Sequence, residues 1–302
     1  MKSDAPTTAR RYAIGAAEFS ADALAPGLYI VATPIGNLAD ITLRSLATLA
    51  AADTILCEDT RTTAKLLARY AIRAMLSPYH EHNAAKVRPA IIRRLKDGAR
   101  LALVSDAGMP LVSDPGYRLV REVVAEGLAV TCCPGPSAVL TGLALSGLAS
   151  DRFCFFGFFP QKHGERQRLL AEIASLQATA IFFESPHRII ETLLAIADAL
   201  PERDIAAARE LTKLHEEVLR GPAAKIAEAL GSRAAVKGEF TLLIGPATHQ
   251  VQASEADIDV AIAIALETLP ASQAAAGVAK RLGLNRKAVY ARILARGRGD
   301  EG

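Results

Sequence analysis

The residues able to do chemistry in this 302-residue chain are gathered in a few short stretches. Residues 105–116 read SDAGMPLVSDPG, which sets Asp106 and Asp114 in a loop stiffened by Pro110 and Pro115 and tightened by Gly108 and Gly116. EDTR at 58–61 adds Glu58, Asp59 and Arg61, and YHEHN at 79–83 adds His80 and Glu81. RELTKLHEE at 209–217 adds Glu210, Lys213 and His215. Such combinations suit proton transfer, metal binding or the gripping of an anion.

Two of those uses are poorly served. No Gly-Lys-Ser/Thr closes a Walker loop, and TPIGNLAD (33–40) has the single glycine Gly36 where a dinucleotide fingerprint needs three. No HxxxH or HxE spacing accompanies Asp106 and Asp114, so no metal is expected. Glycine turns stiffened by proline bring backbone N–H and C=O groups against a ligand without side chains intervening. Residues 101–117 also contain no Lys or Arg. A ligand with an apolar ring and a cationic centre fits that loop, and S-adenosylmethionine has this character. The plain alternative is a stiff connection in which Asp114 and Pro115 cap the helix that starts at Tyr117.

The elements that would position these loops alternate. Apolar runs LYIVA (28–32), TILC (54–57), RLALV (100–104) and AVTCC (129–133) read as strands, with a short one near 74–78. Helical patterns at 43–52, 64–70, 86–97 and 117–127 lie between them. That order predicts βαβ units and a parallel sheet. CPGPS (133–137) breaks the pattern, and a second strand–helix series runs from RFCFFGF (152–158) to FTLLIG (240–245). The reading is an α/β protein: a loose extension over 1–26, α/β domains over 27–133 and 134–250, and a helical segment over 251–302.

Composition narrows the class. No apolar run approaches the roughly 18 residues of a membrane span, and the first 26 lack a signal-peptide core, so a cytoplasmic protein is expected. Cys57, Cys132, Cys133 and Cys154 form no CxxC pair and read as reduced core thiols. The net charge of +3 hides an asymmetry: residues 277–298 hold seven of the 35 basic residues and no acid, leaving 28 against 32 acids elsewhere. SQAAAGVAKRLG and RKAVYARILARG, joined at Leu284–Asn285 with Asn285 as N-cap, read as a helix-turn-helix able to grip a polyanion. Ala279, Gly283 and Val289 fall where such a unit wants a small residue, a turn glycine and a core residue.

GLYIVATPIGNLADITLRSL, ILCEDTR, YHEHN, LVSDAGMPLVSDPG, CPGPSAVLTGLALSG, FFGFFP, FFESPHRI, ARELTKLHEE and GEFTLLIG occur in this order. Over about 27–298 the chain thereby resembles the ribosomal RNA small subunit methyltransferase I family, in the tetrapyrrole methylase-like group. The resemblance implies two α/β/α domains with S-adenosylmethionine in the cleft between them, a homodimer, and 2′-O-methylation of cytidine 1402 in the decoding centre of 16S ribosomal RNA within the small subunit. It further implies that Pro34, Gly108, Met109, Pro110, Val112, Ser137 and Ala138 border the cofactor, with Phe183 and Leu211 closing over it. On the acceptor side, Lys213 is expected beside the acceptor oxygen, Asp59 with Arg61 orienting the nucleotide, and His80 as a further acid–base candidate. Two other readings stay open. A tetrapyrrole-precursor C-methyltransferase would share fold and cofactor without needing a basic tail, and a non-catalytic RNA-binding protein would need the tail but not the loops.

Overall fold

The computed structural model describes residues 10–247, 255–282 and 284–297. It opens with a hairpin, β1 (Arg11–Ile14) and β2 (Ala17–Ser20), where a loose extension over 1–26 was expected; residues 1–9 of that extension lie outside the described residues. Gly15 takes φ +62° in the two-residue connection, the backbone a tight hairpin asks of its first loop residue. The hairpin is tied down by side chains that a composition reading overlooks. Tyr12 is buried and stacks on Phe19, Ala13 N–H donates to Tyr70 O at 2.8 Å, and Arg10 and Arg100 both clasp Asp53. Their hydrogen bonds outweigh the burial that would raise the Asp53 carboxyl and hold it down at about 2.

The first domain follows as β3 (Gly27–Val31), α1 (Leu43–Ala51), β4 (Thr54–Cys57), α2 (Thr60–Arg69), β5 (Leu76–Pro78), α3 (Ala84–Lys96), β6 (Arg100–Leu103), α4 (Tyr117–Ala125) and β7 (Val130–Cys133). The sheet order is β5-β4-β6-β3-β7 and every pairing is parallel. The apolar runs GLYIV and TILC are buried along their whole length because helices cover both faces of the sheet. Thr42 and Asp59 start α1 and α2 by accepting backbone N–H groups on their side chains.

The second domain contains α5 (Ala138–Ser146), β8 (Phe153–Phe158), α6 (His163–Ile173), β9 (Thr179–Glu184), α7 (Ile189–Ala199), β10 (Asp204–Arg209), β11 (Glu217–Pro222), α8 (Ala223–Gly231) and β12 (Phe240–Ile244). Its sheet, β11-β10-β12-β9-β8, is mixed: β8 and β9 run parallel and the other pairs antiparallel. Short connections, as between β10 and β11, permit only antiparallel return. A bulge between Phe155 and Phe158 shifts the register of β8 and re-aims Phe158.

Three helices, α9 (Glu255–Leu266), α10 (Ala271–Leu282) and α11 (Arg286–Gly297), close the chain around a core of their own that includes Ile262, Ala279, Val289 and Ile293. Asn285 accepts the Lys287 N–H at 2.8 Å and so caps α11, while Gly283 lies outside the described residues. Among the described residues no helix is long and apolar enough to cross a membrane. Cys57 and Cys133 are buried, but Cys132 and Cys154 are exposed, which corrects their reading as core thiols. Both lie on strands at a sheet edge, where alternate side chains face outward.

Candidate active site

In a parallel sheet, ligands meet the loops beyond the carboxyl ends of the strands. Strand order decides which loops meet. β5 lies beside β4, so Tyr79 N–H donates to Cys57 O at 2.8 Å and His80 follows next to Glu58. β4 lies beside β6, and Asp59 N–H donates to Asp106 Oδ1 at 3.1 Å. From β3, Thr33 exchanges backbone hydrogen bonds of 2.9 and 3.0 Å with Gly108. Gly108 has φ +81°, and a Cβ there would stand 3.2 Å from Ile35 Cγ2. Leu111 and Ser113 are also left-handed, at +74° and +64°, which costs a residue with a Cβ about 1–2 kcal/mol. The surrounding contacts, not local preference, hold this loop in shape.

Between this edge and the second sheet lies a cavity of about 420 Å³. The first domain contributes Ile35, Asp106 through Met109 and Val112 through Asp114; Ser137 through Val139 come from the turn into α5. The opposite wall has Phe158, Phe183 through Pro186, Leu211 and Glu239 through Thr241. Apolar surface dominates, and none of the lining residues is Lys or Arg.

The carboxylates around it fall into two groups. On the first domain Glu58, Asp106 and Asp114 make no ion pair among the described residues. Burial pushes the Asp114 carboxyl up to about 6, with Glu58 and Asp106 adding to the push and a Ser105 hydrogen bond opposing it. Burial and then Asp106 raise Glu58, partly offset by His80. On the second domain each acid has a cation. Glu184 is paired with Arg188 at 2.6 Å, and Lys213 Nζ lies 2.8 Å from Glu210 and 2.9 Å from Glu239. Among the described residues no group of three His, Cys, Asp or Glu side chains is placed to hold a metal ion.

The residues read from the sequence are distributed unevenly. Gly108, Met109, Val112, Ser137, Ala138, Phe183 and Leu211 line the cavity. Pro34 and Pro110 are buried behind it, shaping the loops without lining it; Ile35 occupies the place expected of Pro34. Asp114 does not cap α4: Gly116 stands at that N-cap and no side chain bonds there. Lys213, Asp59, Arg61 and His80 surround the cavity without lining it. Burial alone would depress the Lys213 ammonium, but its two carboxylate partners win and its pKa is raised, so it is no ready base. Asp59 is held at about 2 by the Arg61 guanidinium and by the Arg61 backbone N–H. His80 keeps a buried Nδ1 with no partner among the described residues. The sequence reading missed Ile35, Phe158, Glu184, Ser185, Glu239 and Thr241 as lining residues. FFGFFP and FFESPHRI signalled two of these stretches, but only strand order brings them here.

The cleft between a parallel and a mixed sheet, walled by uncompensated acids and closed by aromatic rings, defines a methyltransferase of the tetrapyrrole methylase class. Residues 27–227 match the tetrapyrrole (corrin/porphyrin) methylases, and residues 252–297 match the RsmI C-terminal HTH domain. Ribosomal RNA small subunit methyltransferase I of Mesorhizobium japonicum is 49% identical over 295 residues, covering 96% of this chain and all of that protein. Its namesake from Erythrobacter litoralis is 48% identical over 277 residues, 92% of this chain and 98% of that one. The uroporphyrin-III C-methyltransferase of Thermus thermophilus, solved with S-adenosylhomocysteine, shares the fold at TM-score 0.51 and 17% identity over 72% of this chain and 96% of its own. The chain belongs to the ribosomal RNA small subunit methyltransferase I family.

The cofactor of that family is S-adenosylmethionine, and the residues present suit it. Apolar walls and backbone groups would accept its nucleoside, and Asp106 and Asp114 would supply the negative field that a sulfonium requires, with no Lys or Arg lining the cavity to oppose it.

Proposed function

We propose that the protein methylates the 2′-hydroxyl of cytidine 1402 in the decoding centre of 16S ribosomal RNA, acting on the small subunit in the cytoplasm. One observation carries the reading: an acid-walled, cation-free cavity and a separately cored basic helical unit stand on the same chain. When bound, S-adenosylmethionine supplies the methyl group and is left as S-adenosylhomocysteine. The chain's own residues bind, exclude water and handle the proton. Asp106 and Asp114 favour a cationic donor over the neutral product, which eases product release. Phe158 and Phe183 form an edge-to-face pair, ring centroids 5.7 Å apart, that keeps water from the cavity.

A 2′-hydroxyl is a weak acid and its proton needs an acceptor. Lys213 is held as an ammonium and Asp59 is spoken for by Arg61, so the sequence-based assignment of Lys213 gives way to a clamping role. Glu58, raised above the ordinary glutamate value by burial and by Asp106 and standing beside His80, is the group we assign to take the proton. Arg61, with 86% of its side chain exposed, offers a fixed guanidinium to an RNA phosphate. A homodimer, as the family resemblance implies, would register in light scattering at close to twice 31.9 kDa.

Labelled S-adenosylmethionine offered with small ribosomal subunits, or with a tetrapyrrole precursor, tests the reading. Label in the RNA 2′-oxygen supports it. Label in the small molecule selects the C-methyltransferase reading, and label in neither leaves an RNA-binding protein.

A further inference from the structure

Arg61, Lys65 and Arg69 recur every fourth residue of α2, so they share one face over about 12 Å, and all three are exposed. Asp59 clasps Arg61, whereas Lys65 and Arg69 make no ion pair among the described residues. The row starts beside Asp106 at the cavity and ends at an open groove of about 740 Å³, lined by Leu38, Arg69, Tyr70, Thr212, Lys213 and Leu214 among others. Cavity and groove are continuous along two loops. Ile35 and Leu211 line the cavity, and the residues that follow each of them line the groove. The loops touch so closely that a Cβ on Gly36 would stand 2.3 Å from Lys213 Cγ.

Leu214 is 93% exposed on that rim. Its loop is not loose. Thr212 N–H donates to Glu216 Oε2 at 2.7 Å, Lys213 N–H to Glu210 O at 3.0 Å, and Glu216 N–H to Lys213 O at 3.1 Å, while Asn37 N–H reaches Thr212 Oγ1 at 3.1 Å across the domains. A backbone fixed at so many points holds its leucine in water by construction.

We infer that the α2 face and the Thr212–Leu214 rim form the two walls of a track for single-stranded RNA leading to the cavity. Lys65 and Arg69 contact successive phosphates, and Leu214 packs on a base beside the acceptor nucleotide and keeps it from restacking. This rests on the RNA-methylating reading above and says where the RNA lies. The helical spacing of about 6 Å between the two cations is of the order of one nucleotide step of an extended strand. An apolar tip flanked by cations is the pairing that holds unstacked nucleotides. A second copy of this chain would bury Leu214 but has no use for the cationic row.

The test uses the full-length protein, small subunits lacking the methyl group, and a labelled single-stranded RNA of the acceptor sequence. Wild-type turnover on subunits comes first, and its absence overturns the RNA-methylating reading and the track with it. With turnover present, the variants judge the track alone. Lys65→Ala with Arg69→Ala should lower the log–log salt slope of RNA binding by about 1.4, at about 0.7 per single-strand phosphate contact. Leu214→Ala should cut turnover about tenfold or more, and Leu214→Met should restore most of it. S-adenosylmethionine affinity and Tm should stay as in the wild type throughout. An unchanged slope, or wild-type turnover in Leu214→Ala, overturns the track. So does a change in oligomeric mass in the variants, which would make this face an interface between copies.

Discussion

Glu58 and Asp114 on the first domain carry carboxyls pushed up by burial and by neighbouring acids, Asp106 for both and Glu58 also for Asp114, whereas Glu210 on the facing domain is pulled down, first by its Lys213 hydrogen bond. Behind Glu210, Arg233 does the same for Glu217. The residue type is the same on both walls; what differs is whether the chain brings its own cation. A carboxylate left unpaired beside a cavity is a demand for a positive ligand, and a paired one is structure. The first wall is therefore the one that would read the charge of the cofactor we propose, and the second gives the cavity its shape.

The largest effect should come from breaking the shape that both walls share. Ala138→Phe fills the cavity at the start of α5, and Val112→Asp adds a fourth unpaired acid near Glu58, Asp106 and Asp114. Each should abolish S-adenosylmethionine binding measured by calorimetry, at a cost on the order of several kcal/mol.

Asp114→Asn sharpens the comparison. In the wild type, S-adenosylmethionine affinity should fall as pH drops through about 6, where Asp114 gains its proton, and S-adenosylhomocysteine, which lacks the charge, should follow less. The asparagine variant should bind the two ligands more nearly alike, without that pH step. The sign for folding is opposite to that of a salt-bridged acid. The unfolded carboxyl releases its proton near 3.8 and the folded one near 6, so wild-type stability falls as pH rises through that window. Denaturant titration of Asp114→Asn across the window should show the fall diminished. An undiminished fall would show that another group titrates in this window.

The C-terminal helices repeat the contrast between paired and unpaired charge. Arg292 binds Asp259 at 2.7 and 2.9 Å, so it staples α11 to α9, whereas Arg286 and Lys287 make no ion pair among the described residues. Arg286→Ala with Lys287→Ala should flatten the salt dependence of subunit binding by up to about 1.8 in log–log slope. Arg292→Ala should chiefly loosen the helical unit, seen as a lower Tm. Truncation after 247 should leave S-adenosylmethionine binding intact and weaken subunit binding, because α9–α11 have their own core.

The smallest effect is expected at Lys213. Its pairs are partly exposed, so Lys213→Ala should cost about 0.5–1 kcal/mol of stability. That contribution is present above the ordinary glutamate pKa and lost as pH falls through the lowered pKa of Glu210. Turnover should drop modestly and recover in Lys213→Arg. A loss beyond about 10²-fold that arginine does not rescue would return Lys213 to an acid–base role.

Much of this molecule is legible from local pattern. Buried strands such as GLYIV announce themselves by apolar runs, and the loops after them by Pro, Gly and acid. Pairing is not local. Nothing in KLHEE or GEFTLL says that Lys213 will meet Glu239 across 26 residues, so the two carboxylates that hold this lysine are not legible from its own stretch. The N-terminal hairpin escaped for a related reason: four of the ten residues of RYAIGAAEFS are alanine or glycine, and what holds it is Asp53 and Tyr70, far along the chain.

Leu111 and Ser113 on one wall, and Glu210 and Thr212 on the other, stay in a backbone region that glycine or asparagine would occupy at little cost. A chain selected for persistence alone would drift toward those residues and gain stability at each. These loops stand below the stability that glycine or asparagine would give them, so their backbone carries its distortion before any ligand arrives and little ordering is left to do on encounter. Heat-tolerant relatives should therefore gain their resistance elsewhere, in the helices and the hairpin, and leave these four positions conformationally uncomfortable.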